Sequence, residues 1–390
     1  MSITLTRRAA LATAASAARV LGANDRIRLG VIGSGGRGQH LMRMANQAGG
    51  CQFTAICDAW DVRRREAMKF AGGTVPYHGD YRRLLERNDI DAVIVATLDH
   101  THAPITIAAC EAGKDVFVEK PMTSLPEQGA PMLRAQRNHK RVVQVGVQQR
   151  SHAHFIEAKQ RWVDSGRLGQ VHMVRTVWNA NNGYLTQPPP GMERKPDGLD
   201  WDAVLDWLPK IPWDPKRYFN RFAYWDFATG GQTGGLFVHM IDVVHWYLGL
   251  TRARSAACLG GIYQYNDGRD TADNINGIVE YNENLTVTFE ATITDLLPAE
   301  SADIVFFGRG GRLSIFRHRA RFLPAGGGEP ETLDRSPEVA HMANFLDCVR
   351  TRKEPNATVF DGHYGAMACH MLNMAYRSRQ RVDWRPEWDL

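Results

Sequence analysis

From residue 26 to about 146, short apolar runs alternate with stretches whose apolar positions recur at helical spacing. The runs at 27–32, 52–57, 92–96, 116–118 and 142–145 predict strands, and the stretches at 40–48, 62–70, 81–87, 105–112 and 125–139 predict helices. Strands separated by helices imply βαβ units, a parallel sheet, and ligands held beyond the carboxyl ends of its strands. After residue 150 the pattern changes. A helical stretch at 155–164 and a strand at 171–177 precede a segment from about 180 to 235 rich in Pro, Trp and Gly. Connections of that length are usually binding loops or lids. Beyond it, INGIVEYNENLTVTFEATI predicts two strands around a turn at 282–284, and ADIVFFGRGGRLSIF repeats the pattern around 308–311. Helical spacing returns at 339–350 and 363–377. The expected fold is α/β: a doubly wound Rossmann domain over 24–148, then an α/β domain over 149–390 with an open, largely antiparallel sheet.

Composition narrows the functional classes. Of 390 residues, 44% are hydrophobic and 23% charged, as in ordinary globular proteins. Without the three arginines of residues 1–23, 44 basic residues face 42 acidic ones, which gives nucleic-acid binding no support. The six cysteines, Cys51, Cys57, Cys110, Cys258, Cys348 and Cys369, show no metal-ligand spacing, so no metal is expected. No apolar run reaches the ~20 residues of a membrane span. Residues 1–23 stand apart: Arg7 and Arg8 precede an Ala-rich stretch and no acid occurs, which resembles a twin-arginine export signal and points to the periplasm, a cytoplasmic leader being the alternative.

RLGVIGSGGRG sets Gly33, Gly35 and Gly38 in G-x-G-x-x-G spacing directly after the first strand, with Gly36 and Arg37 between them. Such glycines permit a tight turn and let a pyrophosphate sit on the N-terminus of the following helix. Asp58, ending the second strand 25 positions after Gly33, is placed to bind the adenosine ribose hydroxyls. An acid there favours NAD; Arg37 and the run from Arg63 to Arg65 leave NADP open, with Arg64 and Arg65 read as a solvated helix face.

VFVEKPM and VIVATLDHTHAP end two neighbouring strands and open into the same crevice. A lysine there, Lys120, can hydrogen-bond a substrate hydroxyl, and burial beside a cationic ring lowers its pKa toward the working range. With Glu119-Lys120-Pro121 beside the glycine fingerprint and H-x-x-D on a later helix, the chain resembles the glucose–fructose oxidoreductase / inositol dehydrogenase (Gfo/Idh/MocA) family over nearly its whole length after the leader. The resemblance implies a nicotinamide-dependent oxidoreductase of carbohydrate or cyclitol hydroxyls, assembled as a homodimer or homotetramer. It maps the family lysine onto Lys120 and a cofactor-contacting segment onto Thr97 to His102, with Glu119 beside the cofactor; Leu98 and Asp99 depart from the family's Pro-Asn. In GGQTGGLFVHMIDVVHW it identifies His239 as the proton acceptor and Asp242 as binding or orienting substrate. The family acid four residues before the histidine is absent, Gly235 standing there, and Phe237 replaces a glycine. Asp226 is the candidate for the missing contact, while Arg150 lies where the family contacts substrate. In the long segment, Asn181, Tyr184, Trp201, Arg217, Tyr218 and Trp225 suit a sugar. Two alternatives stay open: a glycoside hydrolase cycling bound NAD through oxidation, elimination, water addition and re-reduction, and a catalytically silent cofactor or sugar binder.

Overall fold

Six strands whose side chains are nearly all apolar need cover on both faces, and the chain provides it with crossover helices. A computed structural model describes residues 26–179, 187–294, 304–334 and 340–390; the leader, Asn181 and Tyr184 lie outside them. Strands β1 (Ile27–Ile32), β2 (Cys51–Cys57), β3 (Tyr77–His78), β4 (Ala92–Val95), β5 (Asp115–Val118) and β6 (Val143–Val145) pair in parallel in the order β3-β2-β1-β4-β5-β6. The order reverses between β1 and β4, which opens a crevice at their carboxyl ends. Two differences from the sequence pattern matter. The two-residue β3 is too short to carry a period. The helix Asp99–Glu111 starts six residues before the predicted 105, because Asp99, His100, Thr101 and His102 are buried and each hydrogen-bonds a protein group instead of forming a polar loop.

The second domain is built on β7 (Val171–Asn179), β8 (Ala253–Gly261), β9 (Asn274–Tyr281), β10 (Leu285–Thr292), β11 (Ile304–Gly308), β12 (Gly311–Ile315), β13 (Arg319–Pro324), β14 (Glu331–Asp334) and β15 (Val382–Asp383). Their order is β14-β13-β12-β11-β7-β10-β9-β8-β15, antiparallel except where β10 runs parallel to β7. Burial alternates along β9 and β10, so one face carries the core against the helices Val238–Leu248 and Val359–Ser378. The helix Ala340–Thr351 returns to the nucleotide half, where Met342, Phe345 and Leu346 join Leu41, Met42 and Phe117 in one core.

All six cysteines are free. Among the described residues, no helix is long and apolar enough to cross a membrane, and no cluster of His, Cys, Asp or Glu could hold a metal ion.

Phe289 on β10 is fully buried and stacks on Phe237 with ring centroids 4.7 Å apart. Phe289→Ala is expected to cost about 3–5 kcal/mol of stability, read as a lower denaturant midpoint of the C-terminal domain. A loss under 1 kcal/mol, on the scale of ordinary surface substitutions, would contradict this packing.

Candidate active site

The glycine loop is shaped by what its neighbours exclude. Gly33 has φ of 85°, and a Cβ there would lie 2.6 Å from the backbone of Ala96 at the end of β4. A Cβ on Gly38 would lie 2.0 Å from the carbonyl oxygen of Gly33, so the helix Gly36–Ala48 packs directly on the turn. Gly35 and Gly36 face open space and no side chain caps this helix, which leaves its N–H groups to a ligand. The Asp58 carboxylate accepts from Ser34 N at 2.7 Å and Trp60 N at 3.0 Å, so it holds the loop while lining the cavity. Burial raises its pKa, opposed by those two bonds. Arg64 corrects the sequence reading. It is buried, donates to the Asp58 carbonyl at 2.6 Å and pairs with Asp61, so it pins the strand end.

Glu119 ends β5 inside the protein. Burial pushes its pKa up, and Arg37, Lys120 and His102 outweigh that and leave it lowered; Arg37 Nε donates to its carboxylate at 2.7 Å. Gly146 makes room, since a Cβ there would come 3.0 Å from Glu119 Oε1. Lys120, joined to Pro121 by a cis peptide, extends its Nζ to the Gly235 carbonyl of the other domain at 2.6 Å. Burial lowers its pKa; Glu119 and Asp99 act the other way, while Arg37 and Arg221 add to the lowering. Behind this turn, His102 Nδ1 lies 2.7 Å from Pro121 O and Nε2 3.3 Å from Thr97 O. His102 therefore lies between the ends of β4 and β5, donating from one ring nitrogen to a carbonyl, with the shorter distance to Pro121, and both nitrogens face protein groups. Thr97 accepts from Thr101 and lines the cavity.

His239 projects from the helix Val238–Leu248, and its Nδ1 lies 3.2 Å from Gln149 Oε1. An amide oxygen only accepts, so Nδ1 carries the proton and the Nε2 lone pair is the basic one. Burial drives the His239 pKa well below its usual value, and Lys120, Arg37, Arg317 and His152 push the same way; the ring is neutral at neutral pH. Asp242, one turn on, is closed off by Arg150, whose Nε lies 3.0 and 2.9 Å from its two oxygens while Nη1 reaches Asp361 at 3.1 Å. Burial raises Asp242 to about 6 against the pull of Arg150. These two residues, expected at the substrate, are thus bound to each other within the C-terminal domain. Asp226 is held by Arg217, and the carboxylates acting on Lys120 are Glu119 and Asp99.

Three participants escaped the sequence reading. Gln149 was visible in VGVQQR but carries no chemistry until His239 is beside it. Asp99 is buried and accepts from Thr229 N at 3.0 Å across the domains. The cavity itself, about 610 Å³, lies within the range of cofactor sites. It runs from Asp58 past Gly33, Gly35 and Gly36 to Thr97, and its far wall comes from the C-terminal domain, including Tyr218 and Arg221. These features fit a dinucleotide: uncapped helix N–H groups for the pyrophosphate and a carboxylate for the ribose.

Residues 27–147 match the sequence model described as an oxidoreductase family with an NAD-binding Rossmann fold. An inositol 2-dehydrogenase of Salmonella paratyphi B is 34% identical over 225 residues, covering 57% of this chain and 54% of the relative. An inositol 2-dehydrogenase/D-chiro-inositol 3-dehydrogenase of Shouchella clausii is 36% identical over 154 residues, covering 39% and 44%. The chain thus spans about half the length of the curated relatives it matches. Its fold is shared with levoglucosan dehydrogenase in complex with NADH and levoglucosan (TM-score 0.71, 17% identity, 92% of this chain and 99% of that one). It is also shared with an aldose-aldose oxidoreductase of Caulobacter crescentus (TM-score 0.71, 19% identity, 92% and 100%).

Burial also sets the response to acid. It lowers His100 and His341 to about 4 and His245 and His370 to about 3, and holds His239 well below its usual value. Unfolded histidine titrates near ~6.5, so below that pH the unfolded chain binds protons that the folded chain refuses, and stability falls as pH drops toward 4. Asp242, raised to about 6, acts in the opposite sense, as do the raised Asp58 and Asp270, but these are three groups against five histidines. The expected loss is on the order of 1 kcal/mol per histidine per pH unit below 6, measured by denaturant unfolding across pH 7 to 5. A flat profile would contradict neutral burial of these rings.

Proposed function

We propose that this chain, whose residues 27–147 belong to the Gfo/Idh/MocA family of NAD-binding oxidoreductases, oxidises or reduces a hydroxyl-bearing carbon of a carbohydrate or cyclitol. The supporting observation is a convergence across the domain boundary. Lys120 of the nucleotide half is bonded to Gly235, four residues before His239, and its charge acts on that imidazole. Bound NAD supplies a hydride acceptor. Neutral His239, with Nδ1–H committed to Gln149, takes the hydroxyl proton at Nε2, and returns it when the reaction runs backwards. Lys120 keeps two N–H donors beyond its bond to Gly235 and stabilises the alkoxide that develops. Arg150 and Asp242 orient the helix that carries His239 and make no direct contact with the reacting atoms in this scheme.

NAD is favoured over NADP because three of the four arginines that left NADP open are engaged. Arg37 is on Glu119, Arg63 on Glu66 and Arg64 on the Asp58 carbonyl. The inositol dehydrogenases among the relatives support a cyclitol or a pyranose as substrate, and no feature of the site favours the hydrolytic alternative or a silent binder. Export to the periplasm is supported by the Arg7-Arg8 leader and by a fold that needs no disulfide; cell fractionation tests it. Assembly through the open sheet is supported by the exposed Leu259, Tyr263 and Ile278 at its β8–β9 end; light scattering tests it.

The purified protein, given cyclitols and aldoses, is expected to raise the NADH absorbance band. Lys120→Met is expected to lower turnover by on the order of 10²–10⁴ while NAD affinity by equilibrium dialysis changes only a few-fold. A Lys120→Met variant with wild-type turnover would remove this mechanism.

A further inference from the structure

Between residues 198 and 221 the chain leaves the C-terminal domain and runs over the nucleotide-binding domain. Its first attachment is strand-like: Trp60 pairs antiparallel with Leu199, Asp61 N donates to Gly198 O at 3.0 Å, and Asp200 N donates to Ala59 O at 2.8 Å. Gly198 has φ of 72°, and a Cβ there would lie 2.7 Å from Asp61 Oδ2, so the Asp61 side chain occupies the space that any other residue would need. The second attachment is His100, whose Nε2 lies 3.0 Å from Val204 O and whose carbonyl accepts from Trp207 Nε1 at 2.8 Å. The third is aromatic: Tyr218 and Phe219 meet Trp60 edge-on, with centroids 5.9 and 6.3 Å apart.

Beneath this segment lies the cavity that contains the glycine loop and Asp58. From above, Tyr218 and Arg221 line it. Asp58 and Arg63 are the charged neighbours of Tyr218, and Lys120 is a charged neighbour of Arg221. Arg221 Nε is buried without a hydrogen-bond partner in a residue that faces the cavity, which a cationic side chain tolerates when a ligand supplies the acceptor.

We propose that residues 198–221 form a cofactor-retaining roof, with Tyr218 contacting the adenosine end of the dinucleotide and Arg221 its anionic middle, so that the dinucleotide stays bound from one turnover to the next. The inference rests on the NAD reading above. Escape requires the backbone bridge, the His100 contacts and the Trp60 edge contacts to open together, so the roof acts on the release rate.

The test reads release without reading catalysis. Protein loaded with NADH and passed through gel filtration is mixed with excess NAD, and tryptophan-sensitised NADH fluorescence is followed. The wild type is expected to keep its NADH through the column and release it over minutes. Trp207→Ala, which breaks an anchor outside the cavity, is expected to release it at least about tenfold faster, and Arg221→Ala to weaken binding by a similar factor. Trp207→Phe keeps an aromatic ring while removing the N–H that donates to His100, so it gives the same reading if the alanine variant does not fold. Wild-type release within a second of mixing, or wild-type rates in both Trp207 variants and Arg221→Ala, would overturn the roof. The two readings fail separately. Tightly held NAD that no carbohydrate reduces sinks the oxidoreductase and leaves the roof, whereas rapid exchange with active turnover does the reverse.

Discussion

A partly buried ammonium must replace the water it loses, and the way Lys120 does so fixes the relation between the two domains. Its own domain offers the charges of Glu119 and Asp99, while the hydrogen-bond acceptor at 2.6 Å is the Gly235 carbonyl on the opposite side. Asp99 is itself bonded to Thr229 of that second domain. Neither group could be satisfied if the crevice were wider. Gly235 lies in a π-helical turn, Thr233–Phe237, leading into the helix of His239, and a Cβ on it would come 3.0 Å from the Phe222 ring. Gly235, standing where the resemblance implies an acid, is therefore a coherent local solution. Phe222 fills the space a side chain would need, and a backbone oxygen takes over as the partner of the lysine.

The same logic is repeated one step along the chain. Gln149 and Arg150 are consecutive residues past the last parallel strand, and they engage His239 and Asp242, which are one helical turn apart. Two adjacent side chains thereby set both the rotation of the helix and the tautomer of its histidine. A buried Arg150 with two carboxylates is a weak source of stability in itself, since desolvation cancels most of the attraction. Its value is geometric, because the guanidinium, fixed between Asp242 and Asp361, holds the helix of Asp242 in one orientation.

The nucleotide half was legible in the sequence because each of its features is local. Apolar runs of strand length, glycines at fixed spacing and an acid closing the second strand leave their mark without knowledge of the rest of the chain. The glutamate, lysine and proline at 119 to 121 were legible as a site for the same reason. What the sequence hid depends on distant partners. Arg64 reads as a solvated face until the Asp58 carbonyl is seen within 2.6 Å of it. The polar residues 99 to 102 read as a loop until Thr229, Val204 and Pro121 supply their bonds. The ion pair of Arg150 with Asp242 is hidden in the same way, because nothing local shows that the two meet.

The Pro-, Trp- and Gly-rich segment looks least like structure in sequence, yet its composition is how a rigid cover is made without a ladder of backbone hydrogen bonds. Its helices, Trp201–Leu205 and Pro215–Phe219, are five residues each, too short to hold themselves. Three tryptophans do the holding instead. Trp201 donates its indole N–H to the Ile211 carbonyl at 2.8 Å, Trp207 to His100 at 2.8 Å and Trp213 to Met192 at 2.9 Å. Each ring buries apolar area while its single donor pins a stretch of irregular backbone that has no strand or helix partner. Trp201 and Leu205 pack with Phe227 and reach Leu98 at the end of β4, so this small core is shared with the nucleotide domain. Leu98 is thus the residue by which the nucleotide domain enters the core of its own cover.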